Sequence, residues 1–210
     1  MKQQITLREK LLYFISHPML FLKYRHRFII GYYRYITTYH DGQPPRYGYL
    51  RIYRVDDKYV LESFSDPEHA KDSFNSNCHS TSFDFTDYNT LELSYTVLKY
   101  KSKQLIAKKK GTGSIHISRR NFFDIPIQMV EEFTSTTTLS KSYTGSKKSS
   151  LGKVDNGICI YDRISTEDYQ IAYKQTQYLG LELHLLNPKT SPKLPALLMK
   201  QPNYILGLST

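Results

Sequence analysis

The chain has 210 residues, 40% of them hydrophobic and 14% aromatic, with 19 tyrosines, no tryptophan and a net charge of +10. That length and aromatic content suffice for one sizeable core. Two cysteines are too few for a disulfide-stapled secreted scaffold, and neither a secretory signal pattern nor a run of about 18 apolar residues is present, so the expectation is a cytoplasmic protein with free thiols.

The charge is uneven. Residues 1–54 hold ten Lys/Arg against two acids, residues 55–98 two against nine, residues 99–153 twelve against three, and the remainder five of each. Two basic blocks therefore flank an acidic one. If the basic blocks share a face, that face attracts phosphate or anionic lipid.

At the N-terminus, Thr6-Leu7-Arg8-Glu9 has capping-box spacing, with apolar residues following at 7, 11, 14, 15, 19 and 22. Residues 1–30 are expected to be a helical segment, kinked or restarted at Pro18 and closed by Lys23, Arg25, His26 and Arg27. Its apolar face would cover an end of the sheet. A second reading lays residues 5–27 in a membrane interface, with the basic cluster on lipid phosphates.

Gly31 to Ser63 carries Tyr at 32, 33, 35, 39, 47, 49, 53 and 59, cut by turn residues at Asp41-Gly42-Gln43-Pro44-Pro45 and at Asp56-Asp57. This predicts three strands joined by two turns. Phe64 to Asn89 is acidic and Ser/Asn-rich. It is expected to be loop, with a helical turn from Asp66-Pro67-Glu68 to Lys71 and one strand at Thr81 to Phe85. Thr90 to Tyr100 puts Leu91, Leu93, Tyr95 and Val97 on one face, as a half-buried strand does.

Gly111-Thr112-Gly113 predicts a turn between a strand at 101–110 and another at 114–118. Asp124 to Ile127 reads extended, and Met129 to Phe133 is open between helix and strand. Thr134 to Lys153, rich in Ser, Thr, Gly and Lys, is expected to be a flexible basic loop. Asp155-Asn156-Gly157 is a hairpin signal with a strand at Ile158 to Tyr161. Tyr169 to Tyr178 and Leu179 to Leu185 are read as strands, and the residues after Pro195 as further late strands.

Eight to ten short strands without βαβ spacing predict a mainly β, antiparallel fold over residues 31–210. The preferred form is a closed or nearly closed β-barrel with the N-terminal helical segment as plug or flank. Eight strands leave an interior that side chains fill or that holds one small ligand. The strand pattern is similar to that of small cyclic-nucleotide-responsive barrels of bacterial antiphage systems, which usually carry two membrane spans.

Catalytic patterns are absent from the sequence. Lys109 to Ser114 lacks phosphate-loop spacing, there is no nucleophile elbow, and the seven histidines show no zinc spacing with the cysteines. The adjacent Cys78 and His79 are weak grounds for a thiolate–imidazole pair. The reading is therefore non-enzymatic, with no cofactor and no metal.

The favoured function is a ligand-sensing barrel. Inward tyrosines stack on a planar ring and rim cations meet an anionic small molecule such as a nucleotide. The candidate residues are Tyr33, Tyr35, Tyr49, Tyr53, Tyr95, Arg34, Arg51 and Arg119. One alternative is a low-specificity nucleic-acid-binding protein using the basic 99–153 surface. Another is a partner- or membrane-docking accessory protein of a phage or defence system.

Overall fold

The structure, a computed structural model of the chain, describes Arg8, Ile15 and residues 29–55, 58–70, 74–87, 89–118, 125–140 and 151–181. Apart from Arg8 and Ile15, the expected N-terminal helix up to residue 28, the Asp56-Asp57 turn, residues 141–150 of the basic loop and all strands expected beyond residue 181 lie outside these. Eight antiparallel strands form a closed barrel: β1 (Gly31–Tyr39), β2 (Arg46–Val55), β3 (Lys58–Ser65), β4 (Asn75–Phe85), β5 (Thr90–Lys101), β6 (Gln104–Ile117), β7 (Gln128–Ser140) and β8 (Val154–Ile164). Each strand pairs with the next, and β8 closes on β1. Among the described residues, α1 (Pro67–Ala70) and α2 (Thr166–Tyr178) lie beside it. Among the described residues no helix is long and apolar enough to cross a membrane.

One end of the barrel is filled. Tyr33, Ile52, Tyr59, Phe83, Leu91, Ile115, Ile117 and Met129 pack there with Ile29 and Ile30, which precede β1. The Arg163 guanidinium holds this end shut. It donates to the Tyr33 hydroxyl at 2.9 Å and to the Ile30 carbonyl at 2.7 Å, while the Tyr33 hydroxyl donates to the Ile29 carbonyl at 2.7 Å.

Outside the barrel, α2 lies over β1, β2 and β3. Tyr169 and Ala172 pack against Tyr32 and Phe64, with Tyr49 and Tyr173 at the margin. The sequence reading of Tyr169 to Tyr178 as strand is corrected here, because the buried residues Tyr169, Ala172 and Thr176 recur at helical spacing. Ser165 caps the helix by accepting from the Asp168 amide at 3.0 Å. Gly180, at φ 64°, ends it: its amide reaches Gln177 and the Leu181 amide reaches Thr176, a Schellman stop. Residues 179–181 therefore terminate a helix instead of starting a strand.

Four other expectations change. The stretch 75–85 is one strand and not mostly loop. Its polar residues are satisfied laterally: the Ser80 hydroxyl accepts from the Leu61 amide at 2.9 Å and the Ser65 hydroxyl from the Ser76 amide at 2.8 Å. Gly111 and Gly113 do not turn the chain. They sit inside β6 because Tyr95 and the Glu131 carboxylate occupy the space their Cβ atoms would take. The turn falls instead at Ser102 and Lys103, both with positive φ (47° and 64°), between the paired β5 and β6. Asp155-Asn156-Gly157 likewise lies within β8, where the Phe133 ring and the Thr38 carbonyl crowd Gly157. Thr134 to Ser140, expected as loop, continue β7; β-branched Thr suits a pleated strand.

Candidate functional site

Alternation along the strands sends one set of side chains into the barrel. Toward the end opposite Ile29 the interior is not filled. A cavity of about 110 Å³ remains. Its walls fall into two layers.

The deeper layer holds Leu50, Leu61, Leu93, Tyr35, Tyr95, Tyr161, Cys78, Cys159 and Glu131. Burial raises the pKa of all three tyrosine hydroxyls far above the ordinary range, so they stay protonated. It raises both thiols in the same way, assisted by the nearby Glu131 charge, which makes them inert and not nucleophilic. His79 follows Cys78 on β4, so strand alternation turns it to the other face and no thiolate–imidazole pair forms.

Glu131 is the unusual member. It is 4% exposed, and its carboxyl is pushed up to about 7 by burial, with the hydrogen bond from Tyr161 opposing the shift. The Tyr161 hydroxyl donates to Oε2. Oε1 has no hydrogen-bond partner among the described residues and occupies the space above Gly113. A buried carboxyl oxygen left unmatched costs roughly 1–3 kcal/mol or more, so this one is an open valence on the cavity wall.

The shallower layer is cationic. Arg46, Lys99 and Lys109 line the cavity with Tyr39, Phe74, Ser76, Phe133 and Ser135. Lys109 is paired with Asp155, which also accepts from Gln43 at 2.9 Å and lies 3.3 Å from Lys153. Burial works against that carboxylate, yet the hydrogen bonds from Lys109 and Gln43 hold it below the usual range. Lys99 and Arg46 flank the Phe74 ring at 4.5 and 4.2 Å. Burial first, then Lys109 and Arg46, bring the Lys99 ammonium down to about 7. An amine held so close to neutrality gains most from an incoming anion.

The sequence candidates divide by strand parity. Tyr35 and Tyr95 line the cavity. Tyr33 is interior but belongs to the filled end. Arg34 faces outward, half exposed, 3.6 Å from Asp66. Tyr49 and Tyr53 point away from the interior, contrary to the inward reading, and Arg51 lies on the same outer face of β2 instead of at the cavity rim. On β2 the inward residues are Leu50 and Ile52, and the opposite face is covered by α2. There Arg51 donates to Glu62 at 2.7 and 2.9 Å and lies over the Tyr53 ring, while Tyr49 stacks near Phe64. Both faces of β2 are buried, so apolar alternation does not say which is inside. Arg119 lies outside the described residues.

Sequence reasoning missed Glu131, Lys99, Lys109, Arg46 and Tyr161. Two of these had a readable signal. Met129-Val130-Glu131-Glu132-Phe133 forces one acid onto the Met/Phe face of a strand. Lys108-Lys109-Lys110 forces the middle lysine opposite to its neighbours, and Lys109 is indeed buried while Lys110 is exposed. The same alternation takes Lys99 and Lys109 out of the basic outer surface that the nucleic-acid reading relied on.

Among the described residues no group of three or more His, Cys, Asp or Glu is placed to hold a metal. Neither a scan of protein-family models nor a search of curated proteins finds a match to this chain.

Proposed function

We propose that this protein is a non-enzymatic binding barrel for a small anionic molecule that enters ring-first through the cationic end. The observation that carries the reading is the cavity itself, closed at one end by Ile29 and Arg163 and lined at the other by Arg46, Lys99 and Lys109. Its size limits the occupant. About 110 Å³ is below the roughly 300–1,000 Å³ of pockets for drug-sized molecules and near the roughly 150 Å³ that accepts benzene. One ring fits inside, between Tyr35, Tyr95 and the leucines. The charge of the ligand stays in the shallow layer. A nucleotide fits this scheme with its base inside and its phosphates at the rim.

Binding an anion beside Lys99 favours the protonated amine. Binding therefore takes up a proton, and affinity falls as pH rises through about 7. The test is native mass spectrometry and thermal shift against single-ring carboxylates, nucleoside monophosphates and cyclic dinucleotides. Ligand bound at 100 times its dissociation constant stabilises by about 2.7 kcal/mol. The expected result is one class that stabilises the protein, with weaker binding at pH 8.5 than at 6.5 and a smaller pH effect in Lys99→Met. No stabilisation by any class, or binding that survives bulky substitution of Ser135 in the cavity wall, overturns the reading.

A further inference from the structure

The deep end of the cavity states a requirement of its own. Glu131 is almost wholly buried, its Oε2 is engaged by Tyr161, and its Oε1 is without a partner among the described residues. The oxygen is held on the inner side of the wall by design of the strands around it. Gly113 on β6 leaves room for the carboxylate, since a Cβ there would strike it. Its other neighbours in the cavity are the Cys78 and Cys159 thiols and the Tyr95 hydroxyl, all kept protonated by burial, and none of them donates to Oε1. A thiol is a weak donor, and none is placed to satisfy the oxygen.

We propose that Glu131 selects a ligand carrying a hydrogen-bond donor, an N–H or O–H, on the side of its ring opposite its negative charge. This rests on the binding-barrel reading above and narrows it to dipolar rings, donor inward and anion outward. The span fits. Gly113, beside Glu131, and Lys109, in the cationic layer, are four residues apart on β6, about 13 Å along a strand at about 3.3 Å per residue. That span accommodates one ring with a substituent at each end. A ring without a donor leaves Oε1 as unsatisfied as before. A ring bearing an acceptor there sets two acceptors face to face, the arrangement that penalises mismatched ligands most.

Glutamine at 131 inverts the requirement. The Tyr161 hydroxyl still needs an acceptor, so the amide oxygen takes the Oε2 position and the amide NH2 faces the cavity. Isothermal titration of the full chain at pH 8, above the value of about 7 at which the Glu131 carboxyl loses its proton, with 4-aminobenzoate, benzoate and 4-acetylbenzoate reads this directly. The expected order in the native protein is 4-aminobenzoate tightest, by about tenfold or more over benzoate, with 4-acetylbenzoate weakest. In Glu131→Gln the order of the amino and acetyl compounds reverses. Glu131→Met, which removes both the acceptor and the donor at similar volume, levels the three and serves if the glutamine variant does not fold.

Equal binding of all three compounds by the native protein overturns this inference and leaves the cavity reading standing. An order in the native protein that Glu131→Gln or Glu131→Met leaves untouched overturns it as well, since the discrimination then lies elsewhere. Failure of the native protein to bind any of them at millimolar concentration removes the single-ring cavity reading together with the inference.

Discussion

Replacing Glu131 with glutamine tests the interior electrostatics without any ligand. The native carboxyl titrates near 7, against 4.5 for an unperturbed group, because burial disfavours its charge. Between those values the folded state holds a proton that the unfolded chain has released. Stability linked to this group is therefore fully present at low pH and is lost as pH rises toward and past 7. At roughly 1.4 kcal/mol per unit, the difference between pH 5 and pH 8 is roughly 2–3 kcal/mol. Glutamine resembles the neutral acid at both pH values and keeps an acceptor for Tyr161, so it removes this dependence. Other titrating groups, among them His79 and Lys99, act on both proteins alike and cancel in the comparison. Urea unfolding at pH 5 and pH 8 provides the readout. The stability of the variant relative to the native protein should rise by roughly 2–3 kcal/mol across that interval, about 1 M in midpoint at a typical slope. Parallel pH profiles for the two proteins would refute the claim that Glu131 is buried against its charge.

Further expectations concern the frame. Asp155→Asn strands Lys109, whose side chain is 10% exposed, and should cost about 3–5 kcal/mol, with much of it recovered in Lys109→Met/Asp155→Leu; a loss below about 1 kcal/mol contradicts the pairing. Gly48→Ala drives a methyl group into the Phe64 carbonyl and the Tyr35 ring, neither free to retreat, and should cost about 1–3 kcal/mol or more by urea unfolding. Ser165→Ala should lose about 1 kcal/mol of stability by removing the α2 cap, whereas Ser165→Gly should lose only a few tenths, as N-cap substitutions generally do.

The barrel was readable where a strand has one wet face and one dry one. β5 is the clearest case, because Leu91, Leu93, Tyr95 and Val97 all face inward as their alternation indicates. Legibility failed for three physical reasons. β4 points Ser76 and Cys78 into a cavity, so the apolar signal of an inward face is missing there. β6 and β8 carry glycines that make room for Tyr95, Glu131 and Phe133 from neighbouring strands, and in sequence such glycines look like turns. β2 is buried on both sides, which hid the outward direction of Tyr49 and Tyr53. The candidate site suffered most from the third cause. Of the proposed residues that the structure describes, Tyr35 and Tyr95 alone meet at the cavity, because stacking aromatics were sought by residue type while the cavity is defined by strand parity. The polar groups that give it chemistry, Glu131 and the inward lysines, sit inside charged runs that read as solvated surface until the pleat is imposed on them.

The most direct test of an interior binding site is a nuclear magnetic resonance titration of uniformly labelled protein with a bound single-ring carboxylate. Shifts confined to the strand positions around Tyr35, Tyr95, Glu131 and Cys159, with the amides at Tyr49 and Tyr53 on the outer face of β2 unmoved, are the predicted result. Shifts clustered on the outer face, with the interior unchanged at saturation, would contradict it.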